Sequence, residues 1–143
     1  MCTTKELTVL VVDSNSKSLK EMCDILRDLG LERIICSEDA ESALFWLQPD
    51  QNDDVDIILT SNTLSGMDGF KFVHQARELC PNKQILMYSN SRKPTAYLLA
   101  LNIGATDYVD KDHNFKENLQ KKLPFWMGIA KAQVRLKENH CVR

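Results

Sequence analysis

Four short polar clusters carry the groups able to do chemistry, and each stands directly behind an apolar run: Asp13-Ser14-Asn15, Ser61-Asn62-Thr63, Ser89-Asn90 and Asp110-Lys111-Asp112. Brought together, they would offer carboxylates, one ammonium and several hydroxyls, a set that can hold and neutralise a charged group. It lacks an activated nucleophile, because a serine hydroxyl such as that of Ser61 is weak without an adjacent base. No glycine-rich phosphate loop follows the first apolar run, and neither GxGxxG nor P-loop spacing occurs elsewhere, which argues against nucleotide chemistry. The five cysteines (Cys2, Cys23, Cys36, Cys80, Cys141) contain no CxxC pair, and no histidine stands at metal-ligand spacing, so reduced thiols are expected.

The elements that must position these clusters alternate between strand and helix. Residues 7–13 read as a buried parallel strand. Leu19, Cys23, Leu26 and Leu29 then recur at helical spacing, with Gly30 as the left-handed stop. A short strand over 33–36 leads to a helix capped at Ser37 or Asp39, with Ala43, Leu44 and Leu47 as its inner face. After the polar connector 49–54 come a third strand over 55–60, a turn-rich loop at 66–69 and a helix over 70–79 that Cys80-Pro81 ends. A strand over 84–89, a helix over 94–101 with Gly104 beyond its end, and a strand over 106–109 complete the series. Such alternation predicts an α/β fold, a doubly wound five-stranded parallel sheet with helices on both faces, because parallel neighbours require crossover connections. In that architecture the ligand crevice lies at the carboxyl ends of the strands, where the four clusters fall.

A chain of 143 residues with 43% hydrophobic content suits one domain, expected over 1–123, followed by a C-terminal helical extension over 124–143. Net charge is −2, and the lysines and arginines are scattered, so no nucleic-acid partner is expected. The N-terminus lacks the apolar stretch of a signal peptide and no run approaches membrane-spanning length, which predicts a cytoplasmic protein with no membrane partner.

The segments TVLVVD, DIILTSNTLSGMDGF (56–70), QILMYSN (84–90) and GATDYVDKD (104–112) resemble, in order and spacing, the signature stretches of response-regulator receiver domains, which have a flavodoxin-like fold. The likeness covers residue 7 to about residue 123. Its most specific parts are the loop Ser65-Gly66-Met67-Asp68-Gly69 and the Gly-Ala-x-Asp-Tyr stretch with Lys111 three residues after Tyr108. In receivers a carboxylate ending the third strand accepts a phosphoryl group while a divalent ion neutralises the transferring oxygens. The resemblance puts that acceptor position on Ser61, so the expected product is a degenerate pseudo-receiver that has lost the aspartate. Asp13 matches the first acidic residue of the metal pair, and Ser14 stands where the direct ligand is expected. One carboxylate, two hydroxyls and the Thr63 carbonyl should bind magnesium weakly or not at all. No cofactor is therefore expected. Ser89 matches the hydroxyl that bonds the phosphoryl group, Lys111 the cation paired with it, and Tyr108 the switch aromatic. Asp112 and Ser65 stand where the family pattern has proline.

Each of these residues also has a plainer reading. Asp13 and Lys111 would pair directly, Ser89 would be a core hydroxyl, Tyr108 would only pack its ring, and Asp68 would cap its turn. His74 reads as a half-exposed helix residue. The expected function is a non-enzymatic, response-regulator-like signalling module that acts by phosphorylation-independent contact with protein partners, self-association included. Three alternatives stand beside it: Ser61 phosphorylated by a Ser/Thr kinase, a small flavodoxin-like ligand-binding enzyme, or a scaffold acting through its C-terminal helix. For that helix, Asn114 and Glu117 suggest a capping box, and Pro124 is expected to kink or end it. Phe125, Trp126, Ile129 and Leu136 form the expected partner face, the alternative being that the stripe packs back on its own domain.

Overall fold

In a computed structural model, residues 6–90, 93–112 and 114–141 are described, with side chains to residue 137. The strands are β1 (Thr8–Val12), β2 (Arg33–Ser37), β3 (Ile57–Ser61), β4 (Gln84–Ser89) and β5 (Asp107–Asp110). They alternate with α1 (Ser16–Asp28), α2 (Ala40–Trp46), α3 (Gly69–Leu79), α4 (Pro94–Asn102) and α5 (Phe115–Cys141). A 3-10 turn, Asn52–Asp54, lies in the connector before β3. All pairings are parallel, in the order β2-β1-β3-β4-β5. β1, β3 and β4 are buried along their whole length because helices cover both faces. Leu19, Met22 and Leu26 of α1 and Leu119 and Leu123 of α5 join Val9, Val11, Ile57 and Leu59 on one face. Ala43 of α2, Phe72, Val73 and Ala76 of α3 and Ala100 of α4 pack against Leu10, Ile58, Ile85 and Met87 on the other.

Helix starts follow local side-chain chemistry. Asn15, Asp39 and Asp68 each turn a side-chain oxygen to a free backbone amide, at Ser18 (3.0 Å), Ser42 (2.7 Å) and Phe70 (2.8 Å). The α2 cap is thus Asp39 rather than Ser37, and Asp68 caps α3 as its sequence position suggested. The expected third strand is displaced: Val55 lies outside it, and Ser61 is its last paired residue, opposite Tyr88.

Arg77 holds the far side of the sheet together. Its guanidinium donates to the carbonyls of Gly104 (2.8 Å), Cys80 (3.0 Å), Pro81 (3.1 Å) and Lys83 (2.7 Å), and to the Thr106 hydroxyl (3.2 Å). One planar side chain so satisfies the end of α3 and ties it to the loop before β5.

Pro124 does not end α5, one of the two outcomes expected of it, and the 123/124 boundary falls inside one helix. The proline lies on the exposed side, where the carbonyl one turn earlier can turn toward water. Beyond it the expected partner face splits. Phe125 and Leu136 are 62% exposed and Ile129 is half-buried. Trp126 instead turns to its own domain, packing on the core and donating its indole N–H to Asp107 (2.9 Å). Ala130 is buried there, Gln133 donates to the Asn82 carbonyl (2.7 Å), and Lys137 pairs with Asp53 (2.6 Å).

Candidate functional site

The strand order reverses direction at β1, whose neighbours β2 and β3 diverge in sequence, so a crevice opens at the carboxyl ends of β1 and β3. Asp13 follows β1 there and is 2% exposed. One of its oxygens accepts from the Asn15 amide (3.0 Å), the other from the Tyr88 hydroxyl (2.7 Å). A buried carboxylate needs such donors, since leaving it bare is costly. Tyr88, from β4, packs its ring against Phe115 of α5 with centroids 5.6 Å apart. Burial, and then the charge of Asp13 and its hydrogen bond, push the phenol well above its ordinary value, while a hydrogen bond from Ser18 works the other way.

Lys111 does not pair with Asp13, as the plainer reading of the sequence expected; no such ion pair occurs among the described residues. Its ammonium instead donates to the Ser18 hydroxyl of α1, close to the Tyr88 ring, whose centroid is 5.8 Å away. The groups therefore form a chain: Lys111 to Ser18, Ser18 to Tyr88, Tyr88 to Asp13. Sequence reading missed Tyr88 and Ser18. The one signal was a hydroxyl-bearing aromatic within an otherwise apolar strand, next to Ser89.

The serines are engaged as well. Ser61 is 9% exposed, and its hydroxyl accepts from the Thr63 amide (3.2 Å). Ser14 donates to the Glu38 carbonyl (2.7 Å) and accepts from the Ser65 amide (2.6 Å), stitching three loops. The loop after β3 is held close by Gly69: a Cβ there would lie 2.6 Å from Ser61 and Asn62 backbone atoms, so no larger residue fits. Gly66, at φ +80°, supplies the turn's left-handed residue. Thr63 bonds Asn62 through its hydroxyl (3.2 Å).

Ser89 and Tyr108 are joined at their hydroxyls, and burial raises the Tyr108 phenol while that bond opposes the shift. Tyr108 is buried and meets Tyr97 of α4 edge-on, with centroids 5.9 Å apart. His74 pairs with Glu78 (3.0 Å) on the exposed side of α3, away from this cluster. His113 and Cys2 lie outside the described residues, as do the side chains of His140 and Cys141. A groove of about 670 Å³ opens at the opposite edge of the sheet, among Asn52, Asp56, Cys80, Lys83 and Val134, and takes no part in the cluster.

A five-stranded parallel sheet in the order β2-β1-β3-β4-β5, carrying a carboxylate, hydroxyls and a lysine at its strand ends, is the architecture of a signalling receiver. The family described as response regulator receiver domain matches residues 9–123, and the chain belongs to that family. The two-component response regulator ARR14 of Arabidopsis thaliana is 30% identical over 105 residues, 73% of this chain and 27% of that protein. The chain thus spans little more than a quarter of this curated relative. Among solved structures, a CheY-like receiver domain protein from Methanospirillum hungatei JF-1 superposes with a TM-score of 0.77 at 22% identity, over 90% of this chain and 99% of that one. The chemotaxis response regulator CheY4 of Vibrio cholerae gives 0.72 at 27% identity, over 85% and 99%. Among the described residues no helix is long and apolar enough to cross a membrane.

Proposed function

We propose that this receiver-type module signals without phosphoryl transfer, as a non-enzymatic pseudo-receiver that presents a fixed surface to a protein partner. The observation that carries this reading is the chain Lys111, Ser18, Tyr88, Asp13. It supplies the buried Asp13 carboxylate with donors from within the chain and gives Lys111 a hydroxyl partner on α1, an arrangement that does not call for a phosphate or a metal ion. Ser61, at the position assigned to the acceptor, makes no hydrogen bond to a carboxylate or imidazole among the described residues, and its hydroxyl accepts from the Thr63 amide. That engagement and its burial also weigh against a Ser/Thr kinase. The donor set fits magnesium poorly: the one carboxylate accepts two hydrogen bonds, and the Ser14 hydroxyl makes two of its own. Ser89 holds Tyr108 inward against α4, which keeps the α4 and β5 surface in one arrangement. Output then passes through protein contact, self-association included, for which the outward row of Phe125, Ile129 and Leu136 is available.

Treatment of the full chain with acetyl phosphate and magnesium, followed by intact mass measurement, tests this. Unchanged mass is expected, and a stoichiometric phosphate gain overturns the reading. In calorimetric titration, Ser61→Asp alone should gain little magnesium affinity and Ser14→Asp with Ser61→Asp clearly more. Equal affinity in the two variants would show that the metal position has been wrongly placed.

A further inference from the structure

Two thiols lie against each other away from the strand-end cluster. Cys23 of α1 and Cys36 of β2 bring their sulfurs to 3.2 Å, in hydrogen-bond contact. Their exposure differs sharply: Cys23 is 6% exposed, within the packing between α1 and the sheet, whereas Cys36 is exposed on the edge strand. Reagents in solution therefore meet Cys36 first and find Cys23 directly behind it. The contact is too short for two thiolates bound linearly to one soft metal ion, and the sulfurs lie about 1 Å beyond the length of a disulfide bond.

We propose that Cys23 and Cys36 are an oxidation site that takes a hydroperoxide as its oxidant and closes to an intramolecular disulfide. In the first step the Cys36 sulfur attacks the peroxide, an S–O bond forms, the O–O bond breaks, and water (or an alcohol from an organic peroxide) leaves with the displaced oxygen. In the second the Cys23 sulfur attacks the Cys36 sulfenic acid, the S–S bond forms, and the hydroxyl leaves as water with the Cys23 proton. Two thiols are oxidised and one peroxide is reduced. The division of labour follows the surroundings: burial and the neighbouring sulfur push the Cys23 thiol up to about 12, so it is a poor first nucleophile but is already placed to resolve.

The cross-link would act on the candidate site through the backbone. Cys36 directly precedes Ser37, whose carbonyl accepts from Asp13, and α1 carries Ser18, which receives Lys111. Oxidation would clamp the helix bearing Ser18 to the strand that positions Asp13.

The test uses the full chain, reduced and then exposed to one equivalent of hydrogen peroxide. Remaining thiols are alkylated before intact mass measurement and tryptic mapping without reductant. Arg27 and Arg33 lie between the two cysteines, so trypsin separates them unless they are bonded. The expected product has lost the mass of two hydrogens, has two fewer alkylated thiols and contains one peptide pair joining Cys23 to Cys36. Dithiothreitol reverses it. Closing so short a loop should raise the melting temperature of the oxidised form by roughly 5–10 °C. Cys36→Ser should abolish both changes, while Cys80→Ser leaves them in place. The proposal is overturned if both thiols remain alkylatable, if Cys36 advances to sulfinic acid without capturing Cys23, or if the bond forms to another cysteine.

Discussion

Replacing Tyr88 by phenylalanine removes one oxygen and tests the central chain of the site. The ring keeps its place beside Phe115, so no cavity forms and packing is unchanged. What is lost is a 2.7 Å hydrogen bond to a carboxylate that is 2% exposed, where water cannot take the donor's place, together with the partner of the Ser18 hydroxyl. Removing a donor from a buried ionised acceptor costs about 2–3 kcal/mol, a fall of roughly 6–10 °C in melting temperature for a chain of this length. Urea unfolding followed by tryptophan fluorescence measures the difference directly. The phenol, held protonated well past its ordinary value, adds a pH signature. A raised acid contributes its full stability below the unfolded value near 10 and loses it as pH rises beyond, at about 1.4 kcal/mol per unit. The native chain should therefore weaken more steeply above pH 10 than Tyr88→Phe, and the gap between them should narrow. A loss below about 0.5 kcal/mol at neutral pH would refute the reasoning, because Asp13 would then be satisfied without Tyr88.

Arg77→Ala should cost about 2–4 kcal/mol, since it strips donors from four carbonyls and a hydroxyl, and Arg77→Lys should recover little because one ammonium cannot reach both loops; chemical unfolding of both variants checks this. Truncation after Leu123 should destabilise the chain by roughly 3 kcal/mol, because it uncovers the surface under Trp126, Ala130 and Val134. A truncated chain as stable as the whole would show that the second half of α5 contributes nothing to the fold.

Where the structure follows the sequence, one local rule decides the outcome. Asp68 before a helical run is a cap because a free amide stands two residues on, and 84–89 is a strand because its apolar centre, Ile85 to Met87, suits a position covered on both faces. The clusters behind the strands were legible for the same reason, since a parallel sheet delivers its strand ends to one edge. What the sequence hid is which partners those groups choose. Strand alternation says which face Tyr88 occupies, yet whether its hydroxyl reaches Asp13 depends on the twist between β1 and β4. Lys111 likewise has a long stem, and its partner follows from where α1 sets Ser18. That Pro124 does not end the helix was hidden because its cost depends on whether the preceding turn faces water, and Trp126 misled because neighbouring residues on a helix diverge by about 100°.

The 27 residues of α5, about 40 Å of helix, start beside Phe115 at the strand-end cluster and run to the far end of the sheet, where Gln133 and Lys137 meet Asn82 and Asp53. Such a helix is a strut fastened to the domain at both ends. Its root touches Tyr88 and its later turns are tied to Asn82 and Asp53, so one element joins the two ends of the sheet. A protein gripping the outer turns would hold the same helix that packs on Tyr88 while remaining far from Asp13 and Lys111.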